Sequence, residues 1–427
     1  MMGLSARFSS DSNVRLRGTQ YALDARKVFK EDLEHSSIAN IQACILIGNS
    51  CMGECDAEAE SLYFVLANRM AQILRLWVVD DTDDGVTRET KRRLWWTCFI
   101  IDTWASGGSG LSRQMKPALR RPRLPMEENI FYSMRIGDPD IPDSDWKPGL
   151  WGYMVNLVEI YTQIQDLHKD LAEAAEWDED VMEDTVCRLD AQLISFERNL
   201  EPHVRYSREN LTAYIRRGLG RVFVAFHIGF YHYCTLLFYQ YLDSRRPSRL
   251  NGREYARRCK YYATVVCDVL AASREHEGAE ALYNIVGHVT VVSSSVLLHT
   301  YLFGDAHELP QSKKMLESNL ESLVQLRGYW PSVELMINRL VIFQNNCIGS
   351  FKRNTYRFDR WMVKFLIQHA SALEEKEDDM EIDDGPSRMG TVAESIHLER
   401  SRVTQSIMRD IQSGDLWGSG SDKTQDT

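Results

Sequence analysis

Cysteine and histidine have the widest chemical range of the residues in this 427-residue chain, and their spacing decides whether they hold metal. A structural zinc site takes four ligands. Cys51-Met52-Gly53-Glu54-Cys55 is one close pair, Cys259 and Cys267 make a looser one, and no second pair with ligand spacing follows. They read as thiols at a helix end. His227 and His232 are five apart, about 140° from a shared helical face, so they read as core histidines. Ser109 sits in Gly107-Gly108-Ser109-Gly110-Leu111, whereas a nucleophile elbow needs glycine two residues to each side of the serine. There is no phosphate-cradling loop and no dinucleotide fingerprint. No residue is assigned as catalytic, cofactor-binding or metal-ligating, and an all-α enzyme with an unrecognised site stays a distant alternative.

A second constellation sets polar residues into an apolar run: Glu89-Thr90-Lys91-Arg92-Arg93-Leu94-Trp95-Trp96-Thr97-Cys98-Phe99-Ile100-Ile101-Asp102. Thr87 is placed to cap this helix, and Glu89 falls in its first turn, where a carboxylate suits the helix dipole. Past Arg93, apolar residues occupy every face, which makes the helix a buried one. Arg92 and Arg93 are expected to snorkel along or stack on Trp95 and Trp96. Asp102 should not be buried alone, because an isolated interior carboxylate is costly. Arg120, Arg121 or Arg123 is expected to fold back onto it and pin the following loop; a ligand-sensing pocket under that loop is the functional alternative. Arg120-Arg121-Pro122-Arg123 is short for a nuclear-import element and reads as a solvated loop face.

This run resembles the signature of the fungal-specific transcription factor domain, the middle homology region of fungal regulators that usually carry a binuclear zinc cluster at their N-terminus. Tyr63 to Ala71 is similar to the helix before the signature, Ile101-Asp102 to its aspartate, and Arg121-Pro122-Arg123-Leu124-Pro125 to its proline-bearing loop. Leu4-Ser5-Ala6-Arg7-Phe8-Ser9 resembles an interior stretch of the domain. The likeness covers residues 4–135 well and runs more loosely to 370. Thr103 stands where the family usually has arginine, Gly110-Leu111-Ser112 replaces Gly-Arg-Pro, and Leu74-Arg75-Leu76-Trp77 lacks the usual glycine. The resemblance makes Glu89, Arg92, Arg93, Trp95, Trp96 and Asp102 structural motif residues. It implies a regulatory body acting in the nucleus, modulating transcription through a small effector or through protein partners of the transcription machinery or a related regulator. DNA and zinc would belong to an N-terminal module with six cysteines. That module is missing from this chain, so no cofactor is assigned here. The alternative is a stand-alone helical binding or scaffold protein derived from such a regulator.

The elements that must position these residues are helical throughout. Helical spacing marks 18–33, 37–50, 56–77, 88–105, 147–176, 178–200, 208–243, 253–276, 280–303, 312–328, 331–349 and 354–373. In the third, Leu62, Leu66, Ile73 and Trp77, with Ala59 and Met70, form one apolar stripe. Residues 1–17 show no period and are expected to fray. The segment 106–146 holds five of the eleven prolines and reads as a long loop wrapped along a surface. The fold class is all-α: a large domain of stacked helical hairpins over 18–373, with an acidic, largely disordered tail from 374 to 427. Within that tail Val392, Ile396, Val403, Ile407 and Ile411 mark an amphipathic helix at 391–411.

Charge bounds the partners. Net charge is −11, and residues 374–427, with 14 acids and 6 bases, carry −8 of it. The body is close to neutral and offers no broad basic footprint for nucleic acid. Nine cysteines suit a reducing compartment with buried thiols. Val222 to Gln240 and Ala281 to Gly304 are long enough to span a bilayer. Their histidines, hydroxyls and lack of one-sided basic flanks mark them as core helices, and no membrane is expected. Eight acids interleave with Met380 and Ile382 over 374–384, the pattern of an activation segment or of a solubilising linker.

Overall fold

A computed structural model describes residues 1–116, 121–174, 176–246, 251–353, 356–376 and 391–413. Helices α1 (Met2–Ala6), α2 (Ser12–Leu16), α3 (Gly18–Glu31), α4 (Ile38–Gly53), α5 (Ala57–Ile73) and α6 (Gly85–Ser109) come first. The irregular stretches 110–116 and 121–149 follow, the second containing α7 (Glu128–Ser133). Then come α8 (Leu150–Glu173), α9 (Glu179–Asn199), α10 (Arg208–Arg216), α11 (Gly220–Phe238), α12 (Gly252–Glu275) and α13 (Ile285–Phe303). Helices α14 (Leu309–Arg327), α15 (Ser332–Arg353), α16 (Arg360–Ile367) and α17 (Thr391–Ser413) complete the order. Among the described residues the only extended pairing is an isolated bridge between Met126 and Pro148. Neighbours in sequence pack as antiparallel pairs, α4 with α5, α11 with α12 and α13 with α14, as expected for stacked hairpins.

Helices α11 and α13 form the centre. Both are long and apolar enough to cross a membrane, and most of each is buried among surrounding helices. Most of their hydroxyls are satisfied locally, which helps them lie inside. Thr290 and Thr300 donate to the carbonyls of Val286 and Val296 at 2.7 and 2.8 Å. Ser293 donates to Ala263 O at 2.8 Å and accepts from Asn319 at 3.0 Å.

Several boundaries differ from the sequence expectation. Residues 208–243 are two helices because the chain reverses at Gly218, whose φ of +73° is left-handed. Helix α5 stops at Ile73 with the same kind of cap: Arg75 takes φ +50°, and Leu76 N–H reaches back to Ala71 O at 3.2 Å. An arginine thus adopts the backbone that glycine would adopt more cheaply. The turn buries Leu76 and sets Trp77 edge-on against Trp95 at 4.9 Å. The α5 stripe is also corrected. Leu62 and Ile73 are 58% and 59% exposed, while Tyr63, Phe64, Ala67, Met70 and Ala71 face inward. Both faces of α5 are apolar, so periodicity alone could not choose between them.

The N-terminal end is more structured than expected, and the helix expected at 391–411 is present as α17. Residues 1–17 contain α1 and α2, each too short to show a period. Arg7 stacks over Trp330 at 4.8 Å, donates to Tyr329 O and pairs with Glu54. In the tail, α17 lies against α13, α14 and α15. Its buried face is Ser401, Thr404, Ile407, Met408 and Ile411, whereas Ile396 is exposed. Arg400 donates to the carbonyls of Leu302 and Gly304, at the end of α13, and Arg327 to that of Ile411. Met380 and Ile382 lie outside the described residues.

Ile411→Ala should therefore lower unfolding stability by about 2–5 kcal/mol. Ile396→Ala should stay within about 0.5 kcal/mol. Urea denaturation of the two variants checks this, and equal melts would mean that α17 does not pack on the body.

Candidate functional site

The tryptophan motif lies on α6, and its side chains run along the returning loop. Asp84, not Thr87, caps the helix: its carboxylate accepts from Thr87 N–H at 2.8 Å and from Gly137 N–H at 2.7 Å. Asp84 precedes the first turn and has both donors in reach, so threonine becomes the capped residue. One turn on, the Glu89 side chain has no exposed surface. Its carboxylate accepts from Arg93 Nε and Met126 N–H, both at 2.9 Å, and from Arg92 at 3.3 Å. Arg93 closes the ring by donating to Met126 O at 2.8 Å. Arg92 forks onto Asp140. Trp96 Nε1 donates to Arg123 O at 3.1 Å. At the far end Asp102 accepts from the backbone N–H groups of Gln114 and Met115 at 2.7 Å, and from Asn68 at 2.9 Å.

The arginine expectations change accordingly. Asp102 takes no arginine, because two backbone amides and an amide side chain fill its lone pairs. Arg121 pairs with Glu159 and lies over Trp96 at 5.6 Å, and Arg123 pairs with Asp143. Arg120 lies outside the described residues. Arg93 stacks on Phe131 at 4.6 Å rather than on either tryptophan. Burial raises the carboxyls of Glu89 and Asp102 despite these donors. At Asp140 burial opposes ionisation, but the Arg92 bond outweighs it and holds the group below the usual range. Every charge in this array is spent on holding loop to helix.

Beyond Asp102, α6 runs into the centre of the molecule. Gly107 and Gly108 are there because nothing larger fits: a Cβ would meet Gln165 Nε2 at 2.0 Å and the His369 ring at 2.6 Å. Ser109 Oγ donates to Ala105 O, a helical back-bond that takes up its proton. His369 stacks on His288 at 4.6 Å, and His288 meets His232 edge-on at 5.4 Å. Burial lowers all three imidazoles, and His168 and His227 with them: His168, His227 and His369 to about 4, His232 to about 3. Among the described residues no three His, Cys, Asp or Glu side chains converge to hold a metal ion. Cys51 is buried and Cys55 exposed, and Cys55 sits in a left-handed cap at φ +61°. Next to them a cavity of about 20 Å³ is lined by Glu60, His369, Met52, Met336, Ser332 and Cys55. The sequence reading did not single out Glu60. Its helical spacing with Tyr63, Phe64, Ala67 and Ala71, all inward-facing, is the signal that marks it.

Residues 1–193 match the fungal specific transcription factor domain, and the whole array from Asp84 to Asp140 lies inside that match. The chain is similar to the Zn(2)-C6 fungal-type transcription factor FTF2 of Fusarium oxysporum f. sp. lycopersici, 19% identical over 86% of this chain and 38% of that protein. FTF1c of the same organism is 20% identical over 82% of this chain and 41% of its own length. An uncharacterized transcriptional regulatory protein of Schizosaccharomyces pombe is 23% identical over 55% of this chain and 27% of its own length. The chain spans about a third of the length of the curated relatives it matches. No solved structure matches it.

Two outcomes follow from this geometry. Trp96→Ala removes a fully buried ring and its bond to the loop, and should cost about 3–5 kcal/mol by chemical denaturation. The histidines set a pH dependence. Their folded pKa values lie below the unfolded value of about 6.5, so their contribution is intact above that pH. It is lost as pH falls from about 6.5 towards 4, where the unfolded chain takes up protons that the fold refuses. Glu60, raised to about 7, acts in the opposite sense, as do the other carboxyls that burial raises, Glu89 and Asp102 among them, against six lowered imidazoles with His299 included. The urea midpoint should hold between pH 7 and 8 and drop steeply below 6.5.

Proposed function

We propose that this chain is the regulatory body of a fungal transcription regulator, acting in the nucleus and modulating transcription through protein partners or an effector. The observation that carries the reading is the family match over 1–193, which contains the whole α6 array. The relatives are named as transcription factors and transcriptional regulatory proteins, and two of them as Zn(2)-C6 fungal-type transcription factors. Sequence-specific DNA binding and zinc are assigned to a module outside these residues. The six-cysteine pattern is not in this sequence, and its net charge of −11 disfavours a polyanion. The motif itself does no chemistry on a substrate. Its acids and arginines pair internally and give the regulatory body a rigid spine, which supports a role in transmitting contacts rather than in catalysis.

The test joins the full chain to a foreign DNA-binding module and reads a reporter gene. Transcription should change relative to the module alone, and Trp96→Ala, by loosening the body, should reduce the change. In a gel shift at physiological salt the isolated chain should show no sequence preference. Nanomolar, sequence-selective binding by the chain alone would overturn the assignment of DNA contact to another module.

A further inference from the structure

One acidic side chain in the core lacks a partner. Glu60 is 5% exposed, on the inward face of α5 near its N-terminus. Among the described residues no donor or cation meets its carboxylate, and burial alone acts on it. The nearby charges are engaged elsewhere. Arg7 pairs with Glu54 and Arg26 with Asp56. Arg339 gives its N–H groups to the carbonyls of Lys364, Phe365 and Ser371. The remaining titratable neighbours are uncharged at neutral pH, because burial raises the thiols of Cys51 and Cys55 and lowers His369.

This carboxylate borders the cavity of about 20 Å³, which has room for one water-sized group. The other walls are mostly apolar, from Met52, Ala57, Leu335, Met336 and Ala370, and none of them carries a positive charge. Ser332 accepts from Asn284, and its hydroxyl brings a neutral donor but no charge. Cys55, the exposed member of the lining, marks where the cavity meets solvent. An unpaired acid facing a small, mostly apolar cavity is a site lacking a compact cation.

We propose that this cavity binds a primary ammonium group, held by Glu60, with the rest of the ligand leaving past Cys55. An ammonium group is the size of a water and supplies the positive charge that the walls lack. A quaternary ammonium is too large and has no N–H to give. Binding favours ionised Glu60, so affinity rises as pH rises through about 7 and falls below it. The lining comes from the α4–α5 turn, from α15 and from the segment after α16, so occupancy ties the first helices to the last.

The probe is the full chain in thermal melts at pH 8 with ammonium, methylammonium or propylammonium chloride. Sodium and tetramethylammonium chloride at equal ionic strength are the controls. The primary ammonium salts should raise the melting temperature by at least about 2 °C over the controls, less at pH 6, and not at all in Glu60→Gln. That variant removes a charge from the core and is expected to fold. If it does not, the wild type still decides the matter. Propylammonium, and not tetramethylammonium, should slow maleimide labelling of Cys55 at least threefold by peptide mass spectrometry. No ammonium-specific shift, a shift shared by Glu60→Gln, or unchanged Cys55 labelling would overturn the proposal. Binding is read on the chain itself, so its failure leaves the transcriptional reading untouched.

Discussion

The fully buried carboxylate of Glu89 is the constraint on which the first third of the molecule depends. A carboxylate removed from water is tolerated only if its lone pairs are filled and its charge balanced. Arg92, Arg93 and the Met126 amide do this together, and two of them belong to the same helix as the acid. The third donor is loop backbone, so satisfying Glu89 obliges the chain to return along α6. Asp84 with Gly137, Arg92 with Asp140, Trp96 with Arg123 and Asp102 with Gln114 repeat this at successive positions. The described parts of the proline-rich segment, 110–116 and 121–149, are thereby held along α6. Such a network is worth more than its separate pairs, since losing one partner leaves the others buried and unmatched.

The interior applies the same rule with neutral groups. Helix α13 carries hydroxyls and histidines inside the molecule, and most of its hydroxyls bond back to their own helix or to a neighbour. The imidazoles are held neutral by burial. Because α6 ends in Gly107 and Gly108, it can approach His369 and Gln165 at backbone distance, and Ala370 N–H reaches Gly108 O at 3.3 Å. The two glycines join the start of the chain to its end.

What was legible in the sequence was the helix pattern, because α6, α11, α12 and α13 are long enough to show a period or an unbroken apolar run. The motif residues were legible as types, but their partners were not. Asp102 accepts from backbone N–H groups, which every residue except proline carries, so sequence could offer only the nearby arginines. Arg75 and Cys55 hide left-handed caps because neither residue type marks one. Glu60 reads as an acid suited to the helix dipole until its spacing with the inward residues is counted. In the tail the amphipathic helix was legible from its apolar spacing, but its docking was not: α17 is anchored by Met408, Ile411, Arg400 and Arg327, and the spacing alone does not say which element covers the buried face.

The segment that matches the family ends at residue 193, yet the physical joints ignore that limit. Trp104 bonds to Tyr233, Tyr161 stacks on Tyr233 at 4.0 Å, and Arg7 reaches Trp330 and Tyr329. One continuous cluster of buried residues runs from Phe29 to Ile411. Close-packed interiors resist gradual deformation, so a disturbance at one joint is passed on as a shift of whole helices or not at all. A ligand or partner that moves the α4–α5 turn must also move α6 at Asn68–Asp102 and α15 through the shared cavity wall. The contacts needed to couple the family-like half to the C-terminal half are therefore the ones that hold the fold together.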